Sequence, residues 1–475
     1  MIPLSLKEVA TITGGRLHGI PEDEAARLVV DGPVVTDSRE AGPGGLYIAR
    51  VGEQLDGHQF VGQAAALGAV AAMTTREAAE LPCVVVDDVQ AGLASLARAV
   101  VDRHGDLTVI AITGSSGKTS TKDLLASVLS SAAPTVAPVG SLNSEVGVPL
   151  TVFRVTPETR FLVVEMGARG IGHIEYLTTI APPRIGIELN VGTAHVGEFG
   201  SREAIGVAKA ELVAALPTDG LAVLNADDAV VRTMATRTRA RVQLVGTARD
   251  AVVRADDIVL DAAGRPTFRL LTPSGEAEVS LLLHGEHHVG NALAVVAAAL
   301  ECGLSLESVV EALSTATPVS RWRMEVVDRP DGVTVVNDAY NANPDSMRAA
   351  LKALAAMGRG GDRRTWAVLG SMLELGDEST TEHDAIGRLA VRLNISRLVV
   401  VGDVARPMAT GAQHEGSWGE EAVWVPDADA AHDLLLENLR PGDVVLFKSS
   451  RDAGLRWLGD KVAAPGAADG EEDAT

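Results

Sequence analysis

Hydrophobic and polar positions along the chain predict three successive units of mixed helix and strand. The first unit, residues 1–105, combines short apolar runs typical of buried strands with alanine-rich stretches of helical spacing. Strands are predicted at 34–36, 45–49 and 83–86, and helices at 60–72 and 92–103. This pattern indicates a small α/β domain.

The second unit, residues 106–317, has the strand, turn and helix alternation of a mostly parallel sheet. An apolar run at 107–113 leads through a glycine-rich turn into a helical stretch at 120–131. Further strands are predicted at 161–165, 185–189 and 221–225. A β-rich segment follows at 250–283, with turns at 263–264 and 274–275, and then a helix at 291–302.

The third unit, residues 318–462, repeats the alternation of strands and helices. Its strands are predicted at 333–337, 366–369, 398–401 and 444–447. The tail, 463–475, lacks apolar periodicity, and we expect it to be disordered and acidic. The predicted fold class is therefore α/β in three domains, with a central P-loop mononucleotide-binding sheet and a C-terminal Rossmann-like domain.

The composition of the chain bears on its partners and its compartment. A formal net charge of −22 would repel a phosphate backbone, so we expect no nucleic-acid partner. The two cysteines, Cys83 and Cys302, imply no disulfide framework and suit a reducing compartment. The N-terminus lacks a basic segment followed by an apolar core, and no apolar run approaches the roughly 18 residues of a membrane span. We expect a cytoplasmic, monomeric protein without membrane insertion.

Lysine is scarce in this chain. Only seven of the 41 basic residues are lysines, at positions 7, 118, 122, 209, 352, 448 and 461. Lys carries a compact charge whose pKa shifts readily, whereas Arg stays protonated. A lysine that the chain retains is therefore a candidate for a role that needs the amine itself.

The segment Thr113-Gly114-Ser115-Ser116-Gly117-Lys118-Thr119-Ser120 joins a predicted strand to a predicted helix. Its glycines would let backbone N–H groups turn toward an anion at the helix N-terminus, and Lys118 could reach the β- and γ-phosphates of a nucleotide. The Thr119 hydroxyl could bind Mg²⁺. The usual phosphate-loop motif has four residues between its glycines and this one has two, so an ordinary strand-to-helix connection is the alternative.

Two polar residues near the predicted sheet edge could approach bound phosphates. Glu165 ends a strand and His195 follows another, and ligands of open α/β sheets gather at the carboxyl ends of strands. A surface glutamate and a loop histidine are the alternatives. Lys209 lies in a helical stretch at 202–216, where the residues alone favour a solvated charge.

Two further stretches are more polar than a turn requires. The first unit has Thr36-Asp37-Ser38-Arg39 and Asp56-Gly57-His58-Gln59-Phe60, and the third has Asp338-Ala339-Tyr340-Asn341-Ala342-Asn343-Pro344. A helix N-cap followed by proline at the first helical position would explain Asn343. It would not explain Tyr340 or Asn341.

Over residues 36–451 the chain resembles the Mur ligases, the ATP-dependent amide-forming enzymes of peptidoglycan precursor assembly. That family has a phosphate loop with this shorter glycine spacing. The stretches that resemble its D-alanyl-D-alanine-adding members are 56–60, Leu142-Asn143-Ser144-Glu145-Val146-Gly147-Val148-Pro149-Leu150 and 338–347. The sister ligases and the folylpolyglutamate synthases have other residues at 338–347.

The resemblance implies a role for each matching position. It makes residues 1–105 a UDP-sugar-peptide-binding domain, 106–317 an ATP-binding domain and 318–462 a dipeptide-binding domain. The implied catalytic residues are Lys118, Lys209, His195 and Asn341. The implied nucleotide-binding residues are Gly114, Ser115, Ser116, Gly117, Lys118, Thr119, Ser120, Asn291, Arg323 and Asp338. The implied substrate-binding residues are Ser38, Arg39, Asp56, His58, Asn143, Tyr340 and Asn343. The implied Mg²⁺ site consists of Thr119, Glu165, His195 and Lys209, with Lys209 carbamylated. The chain departs from the family with His288 in place of Asn and Ser449 in place of Gly.

The activity implied is ATP-dependent addition of D-alanyl-D-alanine to UDP-N-acetylmuramoyl-tripeptide through an acyl phosphate. ATP and Mg²⁺ would be the cofactors. Another Mur-type ligase or a folylpolyglutamate-synthase-like enzyme is the alternative within the class, and the amine that stimulates ADP release distinguishes them. A non-catalytic ATP-dependent switch is the alternative from another class. Such a switch would not need Glu165, His195 and Lys209 together.

Overall fold

The computed structural model describes residues 1–52, 55–193, 196–359, 363–417 and 419–464. Over these residues it is an α/β protein, as the sequence predicts, with one large sheet in each of the three units. Within the same residues, no helix has the length and apolar character needed to cross a membrane.

The first unit is built on a sheet with strand order β2-β7-β6-β5-β4, and a separate antiparallel pair, β1 and β3, lies beside it. Its strands are β1 Leu4–Ser5, β2 Arg16–His18, β3 Val29–Val30, β4 Val34–Val35, β5 Leu46–Ile48, β6 Ala71–Thr74 and β7 Cys83–Val85. Its helices are α1 Leu6–Thr13, α2 Glu22–Ala25, α3 Val61–Ala66 and α4 Val89–Arg103.

One expectation for this unit is wrong. The helix predicted at 60–72 stops at Ala66, and residues 71–72 belong to strand β6. Alanine favours a helix locally, but Gly68 has a φ of +103° and turns the chain. The following residues then pair in parallel with β5 and β7, so tertiary pairing overrides local propensity.

The second unit has a sheet with strand order β16-β15-β14-β13-β12-β11-β8-β10-β9, parallel from β9 to β14 and antiparallel beyond. Its strands are β8 Thr108–Thr113, β9 Thr135–Val136, β10 Phe161–Glu165, β11 Ile185–Glu188, β12 Leu221–Asn225, β13 Arg241–Gly246, β14 Val253–Leu260, β15 Pro266–Thr272 and β16 Gly275–Ser280. Its helices are α5 Lys118–Ser130, α6 Gly147–Val152, α7 His173–Ile180, α8 Val196–Phe199, α9 Arg202–Ala214, α10 Ala229–Thr233, α11 His287–Glu301 and α12 Leu306–Thr315.

The third unit has a sheet with strand order β17-β18-β22-β19-β20-β21, parallel except for edge strand β17. Its strands are β17 Glu325–Asp328, β18 Thr334–Asn337, β19 Thr365–Leu369, β20 Arg397–Val401, β21 Ala422–Val425 and β22 Val444–Lys448. Its helices are α13 Pro344–Arg359, α14 Ser379–Arg392, α15 Pro407–Glu415, α16 Ala428–Asn438 and α17 Leu455–Ala463. Helix α17 takes in the first residue of the predicted tail, and 465–475 lie outside the described residues.

The central sheet positions the site through three adjacent strands. Strand β8, whose apolar residues 109–112 lie between two threonines, runs between β10 and β11, and all three are parallel. Their registers place Glu165 opposite Ile112 and Glu188 opposite Thr113. Two carboxylates therefore flank the point where β8 enters the phosphate loop, which is the edge where open parallel sheets bind ligands.

Candidate active site

The phosphate loop lies between β8 and α5, as the sequence predicts. Gly117 has a φ of +81°, which favours glycine, and a Cβ there would lie 2.9 Å from the Asn291 side-chain oxygen. Among the described residues no side chain caps the start of α5, so its first N–H groups can face an anion. Lys118 Nζ donates to the Gly114 carbonyl at 2.8 Å, across the loop.

The segment after β11 holds the loop in place. Asn190 accepts from the Ser116 N–H at 2.9 Å through its side-chain oxygen and donates to the Ser116 carbonyl at 3.1 Å. The Gly192 N–H donates to Ser115 Oγ at 2.9 Å. These contacts lie more than 70 residues apart in sequence and fix the loop shape without using the N–H groups at the start of α5.

An oxygen-rich corner lies beside the loop at the end of β10. Thr119 Oγ1 donates to Glu165 Oε2 at 3.0 Å, and Asn143 Nδ2 donates to Glu165 Oε1 at 2.7 Å. Glu165 is only 1% exposed. Both of its carboxylate oxygens are therefore held in place inside the protein.

Two amines and a second carboxylate occupy the other side of the loop. Burial lowers the pKa of Lys118, and burial together with the Lys118 charge lowers the pKa of Lys209 to about 7. Glu188 is 1% exposed, and neither carboxylate oxygen has a hydrogen-bond partner among the described residues. Burial raises the pKa of Glu188 well above its usual range, although Lys209 opposes the shift. A neutral amine at Lys209 is therefore accessible near neutral pH.

Three side chains of the third unit contact the phosphate loop or the segment between β9 and α6. Arg323 donates to Thr119 Oγ1 at 3.3 Å and lies over the Tyr340 ring at 4.4 Å. Asn343 Nδ2 donates to the Ser115 carbonyl at 3.2 Å. The Tyr340 hydroxyl is 2.6 Å from Ser141 Oγ. The third unit is therefore in direct polar contact with the phosphate loop and with the segment between β9 and α6.

Lys448 organises the segment 338–341. Its Nζ lies 2.5 Å from Asp338 Oδ2 and donates to the Asn341 carbonyl at 3.2 Å. Asp338 Oδ1 also accepts from the Met324 N–H at 3.1 Å. Burial lowers the pKa of Lys448, and Asp338 opposes this by stabilising the charged form.

Two cavities meet at the phosphate loop. The larger, of about 960 Å³, is lined by all three units, and the first unit contributes Thr36 and Arg50. The smaller, of about 260 Å³, lies between Gly117, Asn291 and Asp338. Together they form a cleft that could hold a nucleotide beside a larger second substrate.

Family profiles match three successive parts of the chain. The Mur ligase family catalytic domain matches residues 33–104, the Mur ligase middle domain 112–299, and the Mur ligase glutamate ligase domain 322–451.

The chain belongs to the Mur ligase family.

Individual relatives agree with this assignment. This Mur ligase is 49% identical to the UDP-N-acetylmuramoyl-tripeptide–D-alanyl-D-alanine ligase of Mycobacterium tuberculosis, over 98% of each chain. It is 34% identical to the ligase of that name from Escherichia coli, over 87% of this chain and 89% of the other. The crystal structure of MurF from Acinetobacter baumannii superposes with a TM-score of 0.86 at 33% identity, covering 97% and 99% of the two chains. MurF from Thermotoga maritima in complex with ADP gives 0.79 at 27% identity, covering 91% and 97%.

The oxygen-rich corner of this Mur ligase suits Mg²⁺. Thr119 and Glu165 present a hydroxyl and a carboxylate to the larger cavity, and Mg²⁺ is usually held by one or two carboxylates together with substrate phosphates and water. Within the described residues no group of three His, Cys, Asp or Glu side chains could hold a metal alone. Such a pair of side chains would leave the remaining coordination positions to phosphate oxygens of a bound nucleotide and to water.

Most of the predicted site residues come together in the two cavities. The larger is lined by Gly114, Ser115, Ser116, Gly117, Lys118, Thr119, Ser120, Asn143, Glu165, Lys209, Arg323, Tyr340, Asn341 and Asn343. Asn291 and Asp338 line the smaller one. His195 falls outside the described residues, so its predicted metal role stays a prediction.

Four predicted substrate contacts are not among the residues that line these cavities. Ser38 donates to Gln63 at 2.8 Å, and Arg39 pairs with Asp37 at 2.6 Å. His58 lies 2.6 Å from Asp56 and accepts from the Thr75 N–H at 3.0 Å. These two contacts join Asp56, His58 and Thr75 inside the first unit. The substrate role of Ser38, Arg39, Asp56 and His58 therefore stays a prediction.

Several cleft residues were not singled out from the sequence. They are Arg50, Ser141, Arg169, His173, Tyr176, Glu188 and Lys448. Two of them carried a usable signal: Glu188 ends a strand beside the phosphate-loop strand, as Glu165 does, and Lys448 is one of the scarce lysines. The others lie in loops and helices whose approach to the cleft has no local pattern.

Proposed function

We propose that this Mur ligase adds D-alanyl-D-alanine to UDP-N-acetylmuramoyl-tripeptide at the expense of ATP. The observation that carries the proposal is its 49% identity over 98% of both chains to a ligase named for that reaction. The cleft supports it, because both cavities border the phosphate loop and the larger one is shared by all three units. We also propose that residues 1–105 bind the sugar nucleotide, 106–317 ATP and 318–462 the dipeptide.

In the first step the terminal carboxylate of the tripeptide attacks the γ-phosphorus of ATP, and the bond to the β,γ-bridging oxygen breaks. Lys118 and the free N–H groups at the start of α5 stabilise the charge on the transferring phosphoryl group. Arg323, which already contacts Thr119, adds a third positive group on the side of the third unit. The products are an acyl phosphate and ADP.

In the second step the dipeptide amine attacks the acyl carbon, the C–O bond to phosphate breaks, and the amine loses a proton. Closer approach of the third unit, which already contacts the phosphate loop, would exclude water that hydrolyses the acyl phosphate. Tyr340, Asn341 and Asn343 border the larger cavity beside the phosphate loop, which suits positioning of the incoming dipeptide.

Thr119 and Glu165 would hold Mg²⁺, which neutralises negative charge on the β- and γ-phosphates when bound. The Lys209 amine is buried beside Lys118, and its pKa of about 7 leaves a substantial neutral fraction at neutral pH. The neutral amine can add CO₂, forming an N–C bond and releasing a proton. The resulting carbamate offers the oxygen ligands that Mg²⁺ prefers.

The proposal is tested by phosphate release from ATP with purified UDP-N-acetylmuramoyl-tripeptide. We expect release to depend on D-alanyl-D-alanine and not on D-glutamate, L-alanine or meso-diaminopimelate. Lys118→Ala should remove turnover, by about 100-fold or more, while thermal unfolding stays close to wild type, because the lysine acts on the transferring charge. Stimulation by a different amine, or wild-type turnover in folded Lys118→Ala, would contradict the proposal.

A further inference from the structure

Lys122 is a buried cation that no step of the reaction uses. It lies on α5, one turn after Lys118, and is 1% exposed. Its Nζ lies 2.5 Å from Asp123 Oδ1 and donates to the Pro138 carbonyl at 2.9 Å. Burying an ammonium group is costly, and a well-packed apolar side chain would often serve stability as well. A role beyond packing is therefore indicated.

The Pro138 carbonyl belongs to the segment between β9 and α6, residues 137–146, which we call the bridging loop. Ala137 packs against the core and Pro138 is buried, whereas Val139 is exposed and the chain turns at Gly140, where φ is +56°. Arg154 holds the Ala137 carbonyl at 2.6 Å, and Lys122 holds the next carbonyl from inside. Polar contacts therefore fix where this loop starts.

The bridging loop carries two side chains of the cleft. Asn143 donates to Glu165, and the Ser141 hydroxyl contacts Tyr340 of the third unit. Pro138 is buried, so without Lys122 its carbonyl would lose its donor, and a buried acceptor without a partner is costly. The loop can avoid that cost by shifting toward solvent, and a shift would move Asn143 and Ser141.

We propose that Lys122 is a positioning residue for the ligase reaction, acting through the bridging loop. This inference rests on the proposed function. Lys122 ties the helix that starts at the phosphate loop to the loop that orients Glu165 and meets the third unit. Lysine suits the position because a compact ammonium on an unbranched stem fits a fully buried site, whereas a guanidinium needs space for a planar fork.

The test compares Lys122→Met, Asn143→Ala and the double variant, with surface Lys352→Met as the matched control. We expect Lys122→Met to lower kcat by about 10- to 100-fold, since small misplacements near reacting groups have effects of that size. The KM for ATP should change little, because the phosphate loop is held by 190–192. The double variant should be no slower than Asn143→Ala, because both changes act on the same contact. Lys352→Met should match wild type.

Hydrogen exchange gives a readout independent of turnover. Amides of the bridging loop should exchange faster in Lys122→Met than in wild type or Lys352→Met. Unchanged kcat, or rate losses that multiply in the double variant, would overturn the proposal. If Lys122→Met does not fold, Lys122→Gln enters the same comparison, and if neither folds, Lys122 is a stability residue and the proposal is wrong. Absence of wild-type turnover with D-alanyl-D-alanine would instead overturn the proposed function.

Discussion

Lys209 illustrates how burial can turn an ordinary helix residue into a candidate metal-site group. Its position in an amphipathic stretch favours a solvated cation, yet α9 places it 7% exposed at the larger cavity. There burial and Lys118 lower its pKa, while Glu188 and Glu165 act in the opposite direction. Arg cannot be deprotonated, so it could not react with CO₂ at this position.

We therefore predict that Lys209→Arg lowers kcat by about 100-fold or more although the charge is kept. Removing bicarbonate should lower wild-type activity, and restoring it should return the activity. The measurement is dipeptide-dependent phosphate release in CO₂-depleted and bicarbonate-supplemented buffer, with Lys352→Arg as a control. Full activity of Lys209→Arg would make Lys209 a simple buried cation.

At the scale of elements, the start of α13 combines two functions in one side chain. Asn343 Oδ1 accepts from the Ser346 N–H at 2.9 Å, which is an N-cap, and Pro344 occupies the first helical position. Its Nδ2 meanwhile donates to the Ser115 carbonyl of the phosphate loop. Capping and site assembly were alternatives from the sequence, and the side chain does both because its two polar atoms face different partners.

Two substitutions separate these functions. Asn343→Ser keeps a capping oxygen but loses the donor to Ser115, so we expect an unfolding free energy within about 0.5 kcal/mol of wild type and a clearly lower kcat. Asn343→Ala should lose about 1 kcal/mol of stability as well as activity. Chemical denaturation and phosphate release measure the two effects. Equal kcat for Asn343→Ser and wild type would show that capping is the whole role of Asn343.

At the scale of the whole molecule, contacts around the phosphate loop close into a ring that joins the second and third units. Thr119 contacts Glu165, which contacts Asn143. Ser141, two residues before Asn143, contacts Tyr340. Arg323 lies over the Tyr340 ring and donates to Thr119, which closes the ring of contacts. The approach of the third unit is therefore coupled to the geometry of the metal-site carboxylate.

This ring predicts coupling between residues 141 and 340. Ser141→Ala and Tyr340→Phe each remove one hydroxyl from the same hydrogen bond, so each should lower kcat by about three- to tenfold. The double variant should be no slower than either single variant. Steady-state kinetics of the three proteins, with thermal unfolding as a check on folding, would measure this. Independent, multiplying losses would show that the contact does not act during turnover.

The sequence by itself determined the fold class, most strand positions and the phosphate loop. Strands β10 and β12 were predicted with the observed bounds, and the β-rich segment has its turns at the expected places. The fold class and the strands follow from local hydrophobic periodicity. The phosphate loop follows from a short motif of glycines and a lysine that is typical of phosphate binding. The resemblance added Asn143, Asn291 and Arg323, which no local pattern would have selected.

Only the tertiary structure decided which polar groups meet. Ser141 and Tyr340 are 199 residues apart, and Asn343 and Ser115 are 228 apart, so their contacts depend on how whole sheets pack. The sequence also did not predict that Lys122, Glu188 and Lys448 are buried, because charged side chains are mostly exposed in folded proteins. The same reason explains β6, whose alanines form a strand because parallel neighbours on both sides supply the hydrogen bonds.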